Sequence, residues 1–333
     1  EMIHVPGRLF SVSPETTRVV SRLFARNERL INIFDSNNGP FAVIMVGAIF
    51  VSSMDTVWEG TVTPRRQQPT SWNYNQQQRN IELAKGDEMG IPLIKQPDWS
   101  KFGAIETVPM TRIGKLSAKH LHRAWLNVPQ VTHFDEADIT ELEAYRGSIK
   151  GKAKEMGFNF TPLVFMMKAV VAGLKEFPKF NSAMDDAGEN LIQRQFYNIG
   201  IAVDTPEGLV VPVIRDVERK GLFELARELG EVSVKAREGG LKAADLSGGC
   251  FSISSLGGIG GTNFTPIVNA PEVGILGLTR SQWRLQRVDG DIVDRLIQPL
   301  AVSYDHRVID GAYAARFVKH LAFVLSDVRN LML

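Results

Sequence analysis

The stretch with the clearest chemical potential is LAVSYDHRVIDGAYAARF (residues 300–317), in which apolar strand formers lead into an Asp-His-Arg triplet and then a helical pattern. His306 lies between the acids Asp305 and Asp310. A histidine in that setting can be a general base, because imidazole gains and loses a proton near neutral pH. The alternative is a histidine that is buried and hydrogen-bonded for structural reasons. Position alone leaves both interpretations open.

The neighbours of His306 have predictable orientations. Side chains alternate along a strand, so Asp305 and Arg307 share one face while His306 projects from the other. We therefore predict an ion pair between Asp305 and Arg307. Asp310 comes where the helix begins, and two roles remain open for it. It could cap the helix N-terminus, or it could act near His306 across the turn.

A second candidate position is the pair Ser254 and Ser255, which ends an apolar strand pattern just before the glycine-rich run LGGIGG. Taken alone, this pattern is most typical of a polar strand end followed by a flexible turn. It is not a phosphate-binding loop, because the GxxxxGK[ST] pattern is missing. Cys250, close to glycines and Phe251, is predicted to be a small buried residue rather than a nucleophile.

Composition and spacing exclude several functions. His120, His122 and His133 have no carboxylate or cysteine at ligand spacing, so no metal site is predicted. Lysine and arginine total 38 against 37 acidic residues, a balance that argues against nucleic acid or a membrane surface as partner. The longest apolar run, residues 41–51, is shorter than the ~20 residues of a membrane span. A single cysteine suits a reducing cytoplasm.

The pattern of predicted secondary structure changes near Gly90, where we place a domain boundary. Residues 1–90 are predicted to be a small β-rich segment of short strands separated by polar turns. Residues 91–333 alternate helical and strand patterns, with a short helix at SAKHLHRAW (residues 117–125) and a hairpin turn at Asp289-Gly290. This alternation predicts a two-layer α/β fold: a mixed sheet with helices on one face.

Two motifs together carry a family resemblance. SYDHRVIDG followed by a helix, with FSISSLGGIGGTNFTPIVNAPEVGILG upstream, resembles the catalytic core of dihydrolipoyl acyltransferases of 2-oxo acid dehydrogenase complexes. The DHRxxDG motif is shared with chloramphenicol acetyltransferase, which implies that fold. The resemblance runs through residues 91–333 and is strongest to the pyruvate dehydrogenase type, which implies acetyl as the transferred group.

The resemblance implies a role for each residue of the two motifs. His306 corresponds to the general base, and Ser254 to the hydroxyl that stabilises the oxyanion. Asp310 corresponds to a supporting acid, which is asparagine in some relatives. Asp305 and Arg307 correspond to the pair that holds the histidine-bearing segment. The substrates implied are coenzyme A and a dihydrolipoyl group, with no metal.

The resemblance also implies an assembly. Members of the family form homotrimers in which the histidine and the serine come from different subunits, and the trimers build hollow cubic or dodecahedral cores. The implied partners are lipoyl domains and the dehydrogenase components of the pyruvate dehydrogenase complex. A chain lacking lipoyl arms could instead be a catalytically idle scaffold that forms the cage.

Residues 1–90 resemble a different family. EMIHVPGRLFSVSPET and the run from LFARNERL to WEGTVTP are similar to the interior of phosphatidylserine decarboxylase. That family generates a pyruvoyl group by cleaving itself at a serine in an LGS[ST] motif. Here the chain continues from Gly90 as IPLIKQPDW, without that serine. We therefore predict no decarboxylase activity, and this function is the least favoured alternative.

Overall fold

The computed structural model describes residues 96–332 and, for the preceding part of the chain, the backbone of six strands. The boundary predicted near Gly90 lies outside the described residues. The chain divides into two compact units, Glu1–Thr107 and Val108–Leu333. Each unit has its own sheets, so the two are described separately.

The described residues of the first unit include six strands. Four strands form an antiparallel sheet in the order β3-β2-β1-β6, and β4 pairs with β5. The strands are β1 Met2–Val5, β2 Arg29–Phe34, β3 Phe41–Val46, β4 Asp55–Thr56, β5 Gly60–Thr61 and β6 Thr70–Trp72. A short 3-10 helix follows at Trp99–Lys101.

The second unit contains five α-helices and eleven strands. The helices are α1 Arg112–Asn127, α2 Thr140–Glu155, α3 Leu163–Glu176, α4 Leu222–Arg237 and α5 Gly311–Ser326. The strands are β7 Gln130–Asp138, β8 Ser182–Met184, β9 Leu191–Gln193, β10 Ile199–Ile201, β11 Val203–Thr205, β12 Gly208–Val210, β13 Val213–Ile214, β14 Phe251–Ser255, β15 Gly274–Leu278, β16 Gln282–Val288 and β17 Asp291–Asp305. Three further 3-10 helices are Pro178–Asn181, Ala243–Leu246 and Val328–Met332.

Helix α1 is longer than the sequence pattern predicts. It begins at Arg112, where the side chain of Thr111 caps it by accepting a hydrogen bond from the backbone N–H of Gly114. The predicted segment began only at Ser117, and the observed helix includes Gly114, a residue that disfavours a helix interior. Thr111 also donates a hydrogen bond to the carbonyl of Glu207, 2.7 Å away. This tertiary contact stabilises a helix start that local propensity does not favour.

The main sheet is mixed, which confirms the predicted α/β class. Its order is β13-β10-β14-β15-β17-β16, with β7 paired to β17 as well. Strands β10, β14 and β15 are parallel, whereas β17 runs antiparallel to β15, β16 and β7. The predicted hairpin joins β16 to β17 through Asp289 and Gly290, whose φ angles of 51° and 99° suit a tight turn. The opposite directions of β14 and β17 decide where the candidate residues Ser254 and His306 lie.

Two hydrophobic clusters cover the two faces of the sheet. Helices α2, α3, α4 and α5 share the main core with sheet residues such as Leu276. The adjacent residue Ile275 packs on the opposite face with Val128 and Val268. Because neighbours in a strand point to opposite faces, this division shows a sheet with its helical layer on one side.

Helices α3 and α5 approach each other closely at Gly173, and this contact predicts opposite effects for two similar substitutions. A Cβ at Gly173 would lie 2.8 Å from the ring of Phe317 and 3.0 Å from Leu321. We expect Gly173→Ala to lower the free energy of unfolding by about 2 kcal/mol through overpacking. Gly147→Ala in α2, where nothing lies within 4 Å, should raise it by about 0.5–1 kcal/mol. Urea unfolding of both variants checks the pair, and equal signs would contradict it.

Candidate functional site

The end of β17 turns His306 out of the sheet. The carbonyl of Asp305 accepts hydrogen bonds from the backbone N–H groups of Val308 and Ile309, each at 3.0 Å, which closes a tight turn. The backbone N–H of His306 donates to the carbonyl of Pro129 at 3.0 Å, which fixes the turn against the chain entering β7. The imidazole is exposed, with its ring centre 5.9 Å from that of Tyr304. His306 is therefore not a buried structural histidine.

Asp305 and Arg307 form the predicted ion pair, but β17 ends at Asp305 and Arg307 lies in the turn that follows, so the turn and not strand alternation brings them together. Arg307 donates from Nη2 to Asp305 Oδ2 at 2.6 Å and from Nε to Oδ1 at 3.0 Å. Its backbone N–H also donates to Oδ1 at 3.0 Å. Asp305 is only 3% exposed, whereas the side chain of Arg307 is 41% exposed. The hydrogen bond to Asp305 raises the pKa of Arg307. Four hydrogen bonds from Arg307 to the carboxylate of Asp305 thus fix the residues on both sides of His306.

Asp310 has the capping role that the sequence left open. Its side chain accepts a hydrogen bond from the backbone N–H of Tyr313 at 2.8 Å and caps α5. This bond lowers the pKa of the exposed carboxyl of Asp310, because the N–H stabilises the charged form. Asp310 thereby joins the His306 turn to the start of the helix.

The cap of Asp310 predicts a pH-dependent stability difference. A lowered carboxyl pKa contributes stability above the ordinary value of about 3.9, and this contribution disappears as pH falls through the folded-state pKa. We therefore expect Asp310→Ala to lower the Tm at neutral pH and to approach the wild-type Tm in acid. Asp310→Asn keeps an acceptor oxygen for the N–H of Tyr313, so its Tm should stay close to that of the wild type. Calorimetry from about pH 7 down to about pH 2, below the lowered pKa of Asp310, tests this; a Tm difference independent of pH over that whole range would contradict it.

Ser254 lies at the opposite end of the sheet from His306. It is half-buried near the end of β14 and pairs with Gly277 of β15, which in turn pairs with Ala301 of β17. His306 follows five residues further along β17, so strand geometry separates Ser254 from His306 by roughly 15–20 Å. One chain therefore does not bring these two side chains together.

A cavity of about 860 Å³ opens beside the serine end of the sheet. Its wall includes Ser255, Gly257 and Arg280 from the strand ends, together with apolar residues of α3 and α4 such as Met166 and Leu229. A cavity with an apolar wall and a few polar groups at one end is typical of a small-molecule site. A smaller cavity of about 440 Å³ lies at the other end of the strands, next to Asp305 and Arg307.

Cys250 is buried, as the sequence predicts. Its thiol donates to the carbonyl of Phe196 at 3.3 Å, and burial raises its pKa, which disfavours the reactive thiolate. His120 is bonded to Asn269, with Nε2 and Oδ1 3.0 Å apart. Across the described part of the chain, no group of three or more His, Cys, Asp or Glu side chains could hold a metal ion.

Sequence reasoning missed a buried polar network behind the histidine turn. Glu272 is 5% exposed, and it accepts hydrogen bonds from Ser252 Oγ at 2.7 Å and from Asn269 Nδ2 at 3.0 Å. Burial raises the pKa of Glu272 to about 7. The signal in the sequence was an acid placed in NAPEVGILG, directly before a strand that is buried along its whole length.

With this geometry established, comparison with known proteins identifies the family. A family model for the catalytic domain of 2-oxoacid dehydrogenase acyltransferases matches residues 102–333. The chain belongs to the 2-oxoacid dehydrogenase acyltransferase family. The described part of this acyltransferase contains no helix with the length and hydrophobicity of a membrane span.

Individual acyltransferases are also similar to this chain. The dihydrolipoyllysine-residue acetyltransferase component of the pyruvate dehydrogenase complex of Haemophilus influenzae is 52% identical over 254 residues, 75% of this chain and 45% of that protein. A solved structure of Azotobacter vinelandii dihydrolipoamide acetyltransferase (E2p) was used to investigate a serine, a histidine and an asparagine in its catalytic mechanism. It has a TM-score of 0.71 and 52% identity, and the match covers 73% of this chain and 100% of that chain.

A second solved structure is the cubic core of the pyruvate dehydrogenase multienzyme complex, again with a TM-score of 0.71, 52% identity, and coverage of 73% and 100%. Outside the acyltransferase region, a family model for phosphatidylserine decarboxylase matches residues 1–92, which confirms the resemblance noted in the sequence. The chain spans less than half the length of the full-length Haemophilus relative, 45% of it.

Proposed function

We propose that residues 91–333 are an acyltransferase core that moves an acetyl group between a dihydrolipoyl thioester and coenzyme A. The observation that carries this proposal is the exposed His306, held on both sides by the Asp305–Arg307 pair, inside a segment that belongs to the acyltransferase family. An imidazole held in that way can exchange a proton with a substrate thiol.

In the proposed reaction, His306 removes the proton from the thiol of coenzyme A. The thiolate attacks the carbonyl carbon of the acetyl-dihydrolipoyl thioester, and the new C–S bond leaves a negative charge on the carbonyl oxygen. Ser254 donates a hydrogen bond to that oxygen. Collapse of the intermediate breaks the bond to the dihydrolipoyl sulfur, which takes the proton back from His306. No metal ion and no covalent enzyme intermediate take part.

Magnitudes are consistent with this scheme. In model peptides the pKa of a thiol is about 2 units above that of an imidazole, so complete proton transfer from the thiol to the imidazole costs only about 2.7 kcal/mol. A single hydrogen-bond donor to an oxyanion lowers the barrier by about 3 kcal/mol. The reaction therefore needs accurate positioning more than an extreme change in acidity.

We infer that each active site is shared by two copies of the chain. Ser254 and His306 lie at opposite ends of the strands of one sheet, too far apart to act on one carbonyl. A neighbouring copy that brings its serine end to the histidine end of the first would complete the site. Repeating this contact head to tail closes a ring, and we propose a homotrimer that assembles further into a cubic core, in line with the related cubic structure.

The remaining roles follow from the same geometry. The cavity beside Ser255 would give the acyl carrier access to Ser254. Asp310 would support the start of α5, and the Asp305–Arg307 pair would hold the turn. Lipoyl domains and the dehydrogenase components of the pyruvate dehydrogenase complex are the proposed partners, in the cytoplasm. Residues 1–90 are proposed to be an inactive fragment.

The direct test is acetyl transfer from acetyl-CoA to free dihydrolipoamide. We expect transfer by the wild-type chain and a loss of about 10²–10⁴ in kcat for His306→Ala, as for a removed general base. The matched control is His122→Ala, an exposed histidine on α1, which should keep the wild-type rate. A wild-type rate in His306→Ala would overturn the mechanism. A large particle with no transfer by the wild type would favour the scaffold interpretation.

A further inference from the structure

Glu272 is the one buried carboxyl in the described residues that the proposed mechanism does not use and that has no cationic partner within ion-pair distance. Both of its oxygens accept a hydrogen bond from a neutral donor, Ser252 Oγ or Asn269 Nδ2. Its backbone N–H also donates to the carbonyl of Asn269 at 3.0 Å. Burying a carboxyl is unfavourable unless its hydrogen bonds are made, so the two hydrogen bonds offset the cost of burying Glu272.

The neighbouring strands leave room for this pair of side chains. A Cβ at Gly249 would lie 2.7 Å from Oε1 of Glu272, and a Cβ at Gly200 would lie 2.7 Å from Oγ of Ser252. Real Cβ atoms do not approach polar atoms so closely, so both positions need glycine while the carboxyl and the hydroxyl stay in place. The space around Glu272 is thus formed by three separate segments of the chain.

The network is continuous with the turn that carries His306. The residue after Glu272 is Val273, whose carbonyl accepts the backbone N–H of Asp305 at 2.9 Å. Asp305 then makes the ion pair and the turn on either side of His306. Glu272, Asp305 and Arg307 also line the same 440 Å³ cavity. A shift of the Glu272 segment would therefore move the strand end that positions the imidazole.

Several charged or titratable groups surround this carboxyl. Burial raises the pKa of Glu272 to about 7, while the two hydrogen bonds and the guanidinium of Arg194 act in the opposite direction. The other titratable groups on the elements packed around it are Cys250 before β14, His120 of α1 through Asn269, Asp305 at the end of β17, Arg307 in the turn after it, and Asp185 and Asp186 across the cavity.

We propose that Glu272 is a positioning residue for the acetyl transfer, whose buried carboxyl holds Ser252 and Asn269 and so keeps Val273 in place against the strand end that carries His306. This inference rests on the proposed function. The ionised carboxylate accepts both hydrogen bonds. On protonation the carboxyl gains an O–H that competes with the Ser252 hydroxyl, which loosens the network. Activity then falls in acid for two reasons, protonation of the catalytic imidazole and loss of the network.

The test is the pH profile of kcat for wild type and Glu272→Gln in the acetyl-transfer assay. We expect Glu272→Gln to lower kcat about tenfold at neutral pH with KM for coenzyme A nearly unchanged, because positioning and not binding is affected. On the acid side of the profile, the fall in kcat should have the steepness of about two protonations in the wild type and of about one in the variant. Ser252→Ala, which removes one donor and keeps the carboxyl, should lower kcat by a smaller factor.

Glu231→Gln, an exposed position on α4, is the matched control and should leave kcat and the acid limb unchanged. If Glu272→Gln does not fold, as judged by thermal unfolding, Ser252→Ala carries the test alone. An active wild type together with a wild-type kcat and acid limb in the folded variants would overturn this inference and leave the proposed function standing. A wild type that transfers no acetyl group would overturn both.

Discussion

Co-assembly of a His306→Ala chain with a Ser254→Ala chain is expected to restore activity that neither chain has alone. If the histidine and the serine of each site come from different copies, random mixing gives about a quarter of the sites an intact pair. The kcat of each single variant should be about 10²–10³-fold or more below that of the wild type. His306→Ala lacks the proposed general base, and Ser254→Ala lacks the proposed oxyanion donor. The mixture should therefore reach about a quarter of the wild-type rate per chain.

The measurement is acetyl transfer by the two chains expressed together and purified through a tag on each. The control is a mixture of the two variants combined after each has assembled separately, which should stay inactive as long as subunits do not exchange. A second control is the double variant, with both substitutions in one chain, co-expressed with itself. If co-assembled single variants were no more active than this double variant, the shared site would be wrong.

The second large effect is expected at the ion pair behind His306. Asp305 is buried and Arg307 is exposed, so the two partners are not equivalent. Arg307→Ala removes the guanidinium from the buried carboxylate of Asp305. Of the hydrogen bonds observed at that carboxylate, the one from the backbone N–H of residue 307 then remains. We expect this change to lower the free energy of unfolding by about 2 kcal/mol, less than for a fully buried pair because water reaches the guanidinium.

Asp305→Asn should cost less than about 1 kcal/mol, since the asparagine oxygen still accepts that N–H and Arg307 can turn to solvent. Both variants should lower kcat, by about tenfold or more, because the turn that carries His306 loses a constraint. Urea unfolding and the acetyl-transfer assay give the two readings. Arg329→Ala, at the exposed Asp327–Arg329 pair near the C-terminus, is the matched control and should change neither reading appreciably. A larger stability loss for Asp305→Asn than for Arg307→Ala would refute this account of burial.

Much of the local structure was determined by the sequence alone. A strand leading into Asp305 and a helix that begins after Asp310 follow from the apolar pattern and a capping acid, whereas the exposure of His306 was left open by the sequence. The hairpin at Asp289-Gly290 follows in the same way from its turn residues. The pairing of Asp305 with Arg307 was also predictable. These features depend on residues close together in the chain, where backbone geometry allows few alternatives.

The tertiary structure decided how these pieces combine. Only the order β14-β15-β17, with β17 antiparallel to β15, places Ser254 and His306 at opposite ends of the sheet, which is the basis for the proposed shared site. Only the packing of the segment before β15 against β14 buries Glu272 and raises its pKa. Strand order and burial depend on contacts between distant residues, whose many possible combinations a local pattern does not distinguish.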